Sequence, residues 1–168
     1  MFYICSHWAI RSIRRLWPSL FAATAVLIMA LSGSLSANHG VTNPKVQARV
    51  DLMTTQKAAL TLLSEMASTR RPFDRSQARA ARKSLEKTTS QIPKRFRRPH
   101  RDPHSLAKAA LWHNWDDFKA RAKRANTAVK ELNTRSLTGL RRSLPAVIQS
   151  CHACHDTYKN PGHEFTTH

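Results

Sequence analysis

Apolar positions along residues 44–66 fall mainly on a three-four spacing. Val46, Val50, Met53, Leu60, Leu63 and Met66 lie along one side of a predicted helix. Asn43 can cap this helix, Pro44 suits its first turn, and the Arg71-Pro72 step ends it near Thr69. A sparser stripe of Ala78, Ala81 and Leu85 predicts a second helix from Arg75 to about Gln91, capped by Asp74. Pro93, Pro99 and Pro103 interrupt the pattern, so residues 92–104 read as a loop. Ala109, Trp112, Trp115, Ala122, Ala125 and Val129 mark the inner side of a third helix from about Ser105 to Leu132, with Phe118 adding apolar area. Leu140, Leu144, Val147 and Ile148 do so for a fourth, from Ser136 or Thr138 to about Lys159, in which Pro145 is a candidate kink or break. Glycine is confined to Gly33, Gly40, Gly139 and Gly162, which favours long helices over sheets. The expected fold is all-α, an antiparallel four-helix bundle.

The front of the chain breaks this pattern. Arg11, Arg14 and Arg15 form a basic flank, an apolar run extends from Leu16 to Leu31, and Ser32 to Ala37 are mostly small. That order is expected of a secretory signal peptide over 1–37, leaving 38–168 as one exported domain in the periplasm. The alternative is a retained membrane anchor, although the run is short for a full span. No second run of spanning length follows, so no stable membrane span is expected after cleavage. Subtracting the leader's three arginines from the formal charge of +18 leaves +15 on the rest. Such a bias favours acidic protein surfaces, phosphate polymers or anionic lipid without choosing among them. No standard nucleic-acid motif accompanies it, so a nucleic-acid partner is not expected. The basic run at 94–101 reads most simply as a solvated surface.

Cys5 leaves with the leader, and Cys151 and Cys154 remain. With His155 they form C-x-x-C-H, the haem c attachment motif. Each thiol can form a thioether and the histidine can bind iron. On a helix, positions i, i+3 and i+4 share a face, so the three residues converge on one group. His152 falls off that face and reads as solvent-facing. A thioredoxin-like pair expects a βαβ context, and zinc needs a second ligand pair that the sequence lacks. One covalently bound haem c per chain is therefore expected.

The opposite side of the iron is less determined. In an antiparallel bundle the start of the first helix lies beside the end of the fourth. Met53 is then near His155, and Met66 is about 20 Å further along. Met53 reads either as a second iron ligand or as a filler packed on the haem edge. Arg49, one turn before it, reads either as a partner for a haem propionate or as a surface arginine.

Several segments carry a family resemblance. They are Val46 to Met53; Arg71-Pro72-Phe73-Asp74; Ile92-Pro93 with Phe96; Ala110 to Phe118; and Cys151 to His155 followed by Tyr158-Lys159. Across 44–160 the chain resembles the cytochrome c′ / cytochrome c-556 family. The resemblance implies a left-handed four-helix bundle with haem near one end, attached to Cys151 and Cys154, with His155 as proximal ligand. In the c-556 branch a first-helix methionine ligates the iron, and Met53 matches it. In the c′ branch that side usually has no protein ligand and takes nitric oxide or carbon monoxide. Arg49 matches a family arginine near a propionate. The resemblance also implies a homodimer through the first and second helices as one option. The glycine-containing loop common after the second helix is replaced here by basic residues. The leading functional expectation is a His/Met-ligated carrier of single electrons, not an enzyme, working with acidic redox partners. The alternatives are a five-coordinate gas-binding haem protein and, from another class, a basic protein that binds anionic surfaces or nucleic acid.

Overall fold

Three side-chain caps set where the long helices begin. Asn43 accepts from the Lys45 amide at 2.9 Å, Asp74 from the Gln77 amide at 2.9 Å, and Ser136 from the Gly139 amide at 3.1 Å. The computed structural model describes residues 40–161, so the leader expected over 1–37 lies outside the described residues. Among them are five helices: α1 (Pro44–Ala67), α2 (Arg75–Phe96), α3 (Ala110–His113), α4 (Trp115–Glu131) and α5 (Leu137–Tyr158). No sheet forms among the described residues, and one isolated antiparallel bridge ties Ala107 to Lys159. No helix among them is long and apolar enough to cross a membrane.

The four long helices form the bundle, each packed on two neighbours in the ring α1, α2, α4, α5. Contacts between opposite helix ends show that these neighbours run antiparallel. Arg49 near the start of α1 bonds Arg95 near the end of α2, and Arg82 near the start of α2 reaches Leu132 just beyond α4. Arg121 of α4 bonds Ala153 near the end of α5, and Arg141 near the start of α5 bonds Ala67 at the end of α1.

Two boundaries differ from expectation. The second helix does not stop near Gln91 but continues through Pro93 to Phe96, absorbing the first part of the expected loop. An internal proline costs about 3 kcal/mol. Burial of Ile92 and Phe96, at 6% and 8% exposure, offsets this by roughly 1.5–3 kcal/mol each. The expected third helix is also split. Asn114, at φ −109° and ψ 46°, interrupts it and accepts from the Phe118 amide, so α4 starts afresh with Asp116 and Asp117 in its first turn. The restart changes which residues face inward. Leu111 and Phe118 are buried, Trp112 and Trp115 are half-buried, and Ala109 is exposed. Pro145 does not split α5, which runs as one helix to Tyr158.

The interior falls into two clusters. One joins Leu63 and Met66 of α1, Leu85 of α2, Val129 of α4, and Leu140, Leu144 and Val147 of α5. The other, at the opposite end, joins Leu52, Ile92, Phe96, Leu111, Phe118 and Tyr158, with Met53, Trp112 and Cys154 packed against it.

Candidate haem site

The second cluster borders a cavity of about 550 Å³ between α1 and α5. Helix α5 supplies Cys151, Cys154 and His155, which share a face by their i, i+3, i+4 spacing. Helix α1 supplies Met53, Gln56 and Leu60 from across the cavity. The antiparallel register thus brings Met53 to the motif. Met66 is fully buried in the other cluster and lines no part of the cavity. His152 is solvent-exposed at the cavity rim.

Burial pushes both thiols up, Cys154 to about 11, so they are neutral at pH 7 rather than reactive thiolates. His155 keeps considerable accessible surface, yet the protein packed around it lowers its pKa, and Lys159 and His152 act in the same direction. It is therefore biased towards the neutral imidazole that can bind iron. The helical setting of the motif removes the βαβ context of a thiol redox pair. Among the described residues no three His, Cys, Asp or Glu side chains group as a metal site.

Two polar residues interrupt the buried stripe of α1. Arg49 is only 3% exposed. Its Nε donates to the Arg95 carbonyl at 3.0 Å and its Nη2 to the Arg98 carbonyl. Its guanidinium lies 5.0 Å from the Phe96 ring centre and 5.4 Å from that of Trp112. Arg49 is thus not a surface arginine. It is outside the cavity lining, and its Nη1 is buried without a partner. Gln56 lines the cavity at 7% exposure, and its Nε2 is also buried without a partner. The orphaned Gln56 donor at an apolar cavity fits a bound group that carries acceptors. Sequence reasoning passed over Gln56, although its place between Leu52 and Ala59 on the inward stripe was a usable signal.

Behind Cys154 lies a network that was also missed. Asp117 accepts from the Tyr158 hydroxyl at 2.5 Å and from Arg121 Nε at 2.6 Å. These bonds, Tyr158 first, hold its carboxyl below the usual range. Arg121 Nη1 donates to the carbonyl of Ala153, between the two cysteines, at 2.7 Å. The i, i+4 spacing of Asp117 and Arg121 was visible in the sequence, but their links to α5 are tertiary.

A helical bundle whose last helix presents paired thiols and a histidine to an apolar cavity has the architecture of a c-type haem protein. Comparison with known proteins narrows the class. The family model described as Cytochrome C' matches residues 44–159, and the chain belongs to that family. It therefore carries one covalently bound haem c, and its family comprises haem carriers rather than enzymes. A cytochrome c-556 of Agrobacterium fabrum (strain C58 / ATCC 33970) is 26% identical, covering 77% of this chain and 90% of its own. A solved cytochrome c′ from Rhodobacter spheriodes is 25% identical, with TM-score 0.64 over 69% of this chain and 95% of that one. A nitric oxide complex of a variant cytochrome c prime from Alcaligenes xylosoxidans shares the fold at 21% identity and TM-score 0.60, covering 70% of this chain and 94% of its own.

The expectation of a His/Met-ligated electron carrier is corrected by these comparisons. The matching family is that of cytochrome c′, and variants of one protein of this fold, the cytochrome c prime of Alcaligenes xylosoxidans, are solved with nitric oxide bound. The side chain of Met53 packs against the aromatic cluster and also lines the cavity across from Cys151, Cys154 and His155.

Proposed function

We propose that the chain is a gas-binding haem protein of the cytochrome c′ type, holding iron through one protein ligand and leaving the other side for nitric oxide or carbon monoxide. The family match over residues 44–159 carries this reading. Cys151 and Cys154 form the thioethers and His155 is the proximal ligand. When bound, the haem supplies an iron that accepts one small gas molecule on its open side. Met53 and Leu60 are assigned to the apolar wall facing α5, where they restrict water. Arg49 fixes the 95–98 segment, and its unpartnered Nη1 is the donor left for a propionate. The basic flank and apolar run support residues 1–37 as an export leader and 38–168 as a periplasmic domain. Reduction of the iron requires a redox partner, for which the cationic exterior favours an acidic surface.

The test is titration of the reduced holoprotein with nitric oxide and with carbon monoxide, followed by absorption. Saturation at one molecule per chain is expected for each gas. A reduced protein whose spectrum neither gas alters would overturn the proposal.

A further inference from the structure

The exposed face of α2 carries Arg75, Arg79, Lys83 and Lys87 at successive i, i+4 steps, and Lys94 and Arg97 continue it. These side chains fall on one side of the helix, along roughly 33 Å at 1.5 Å per residue. The ion pairs among the described residues join Arg71 to Glu65, Lys119 to Asp116 and Arg121 to Asp117, so none neutralises this stripe. The helix has one acidic residue, Glu86, and it is only half-exposed.

The arrangement opposes the stability of α2 itself. Like charges at i, i+4 repel, and Arg75 stands in a first turn that holds no acidic residue, against the helix dipole. An anionic partner would remove both costs. The stripe shows no exposed aromatic or large aliphatic side chain. The one large hydrophobic residue exposed among the described residues, Leu106, lies elsewhere. A specific protein interface uses an apolar centre, and single-stranded nucleic acid uses aromatic platforms, and this face has neither. A second copy of the chain docked through α2 would meet like charge. A charged bilayer needs only a row of cations. Helix α2 packs mainly on α1 and α4, so contact through its outer face leaves α5 and the haem motif on the far side of the bundle.

We propose that this face of α2 docks on the surface of an anionic phospholipid bilayer, holding the protein against a membrane electrostatically and reversibly. The proposal does not depend on the gas-binding reading.

The test is co-sedimentation of the holoprotein with phosphatidylglycerol–phosphatidylcholine vesicles and with phosphatidylcholine vesicles, across rising sodium chloride. The stripe variant is Arg75→Gln/Arg79→Gln/Lys83→Gln/Lys87→Gln. The control, Lys123→Gln/Lys130→Gln/Arg135→Gln/Arg142→Gln, removes equal charge from exposed positions elsewhere. Removing repulsion favours folding of the stripe variant, and its helical circular dichroism and haem absorption provide the check. A cation near an anionic surface contributes about fivefold to partition. The expected result is salt-sensitive binding to anionic vesicles only, weakened at least about thirtyfold in the stripe variant and about twofold or less in the control. Equal losses in both variants would reduce the effect to net charge and overturn the proposal. So would wild-type holoprotein that leaves anionic vesicles unbound at low salt while binding a DNA duplex or an acidic protein. Should the stripe variant misfold, the double variant Lys83→Gln/Lys87→Gln carries the same test, and its failure to weaken binding counts against the proposal.

Discussion

The two ends of the bundle use the same four long helices and are built of different materials. At the end holding Leu63, Met66, Leu85, Leu140, Leu144 and Val147, aliphatic side chains close the interior. At the other end, Phe96, Phe118 and Tyr158 pack with neighbouring ring centres 5.5–5.6 Å apart, the buried Arg49 lies against Phe96 and Trp112, and a cavity adjoins the cluster. Fully buried aliphatic packing makes the first end a source of stability. The second end can then carry features that oppose folding of the polypeptide alone: donors on Arg49 and Gln56 without a protein partner, and a cavity shaped for a bound group between α1 and α5. The difference indicates a division of labour in which one end holds the helices in register and the other shapes a space.

Substitutions that affect one end only would sharpen this contrast. Leu63→Ala removes a fully buried side chain from the closed end. It is expected to cost about 3–4 kcal/mol in urea unfolding while leaving haem absorption and gas affinity unchanged. A shift in gas affinity would show that the ends are coupled. Arg49→Ala removes two charged hydrogen bonds and two aromatic contacts at the open end. The expected loss is about 2–3 kcal/mol, accompanied by faster amide exchange across residues 95–98, where the carbonyl anchors are lost. Protection unchanged there would remove Arg49 as the clamp.

The same end has an acid-sensitive tie. Asp102 accepts from the backbone amides of Asn43, Thr42 and His104, which lowers its pKa to about 2 from an ordinary value of 3.8. A carboxylate depressed in the folded state stabilises fully above its unfolded pKa, and the effect is lost as pH falls through the folded one. Wild type is therefore expected to be more stable than Asp102→Asn at pH 7, with the gap closing as pH drops from about 4 towards 2. A gap independent of pH across that window would rule out the charge as its source. The smallest effect belongs to the turn after α1. Thr69 is exposed at φ 62°, a left-handed conformation that a β-branched residue adopts under strain. Thr69→Gly is expected to stabilise the protein by about 0.5–1 kcal/mol, measured as a raised Tm, with gas binding untouched.

These ends were unequally legible in the sequence. At the closed end, Leu63, Met66, Ala78, Leu85, Leu140 and Val147 could be placed by period alone, because continuous helices preserve phase. At the open end phase was lost where local rules gave way to packing. Pro93 predicted a stop, yet Ile92 and Phe96 carried α2 onward. Asn114 reset α4, although Asp116 and Asp117 just after it were an available start signal. The Cys151, Cys154 and His155 triad was readable because it lies within one helical turn. The partners of Arg49, and the links of Arg121 and Asp117 to α5, were not, because each lies on another segment of the chain. Spacing alone did not choose between a methionine ligand and a methionine wall, because Met53 both packs on the aromatic cluster and lines the cavity.

The central claim is that the iron has one protein ligand and an open side. The most direct measurement follows the weak far-red charge-transfer band of the ferric holoprotein, a marker of methionine–iron bonding, together with carbon monoxide binding to the ferrous form, in wild type and Met53→Ala. The account predicts no band in either protein and prompt carbon monoxide binding in both, with Met53→Ala altering only the rate. A band present in wild type and lost in Met53→Ala, with carbon monoxide binding only after that replacement, would contradict it.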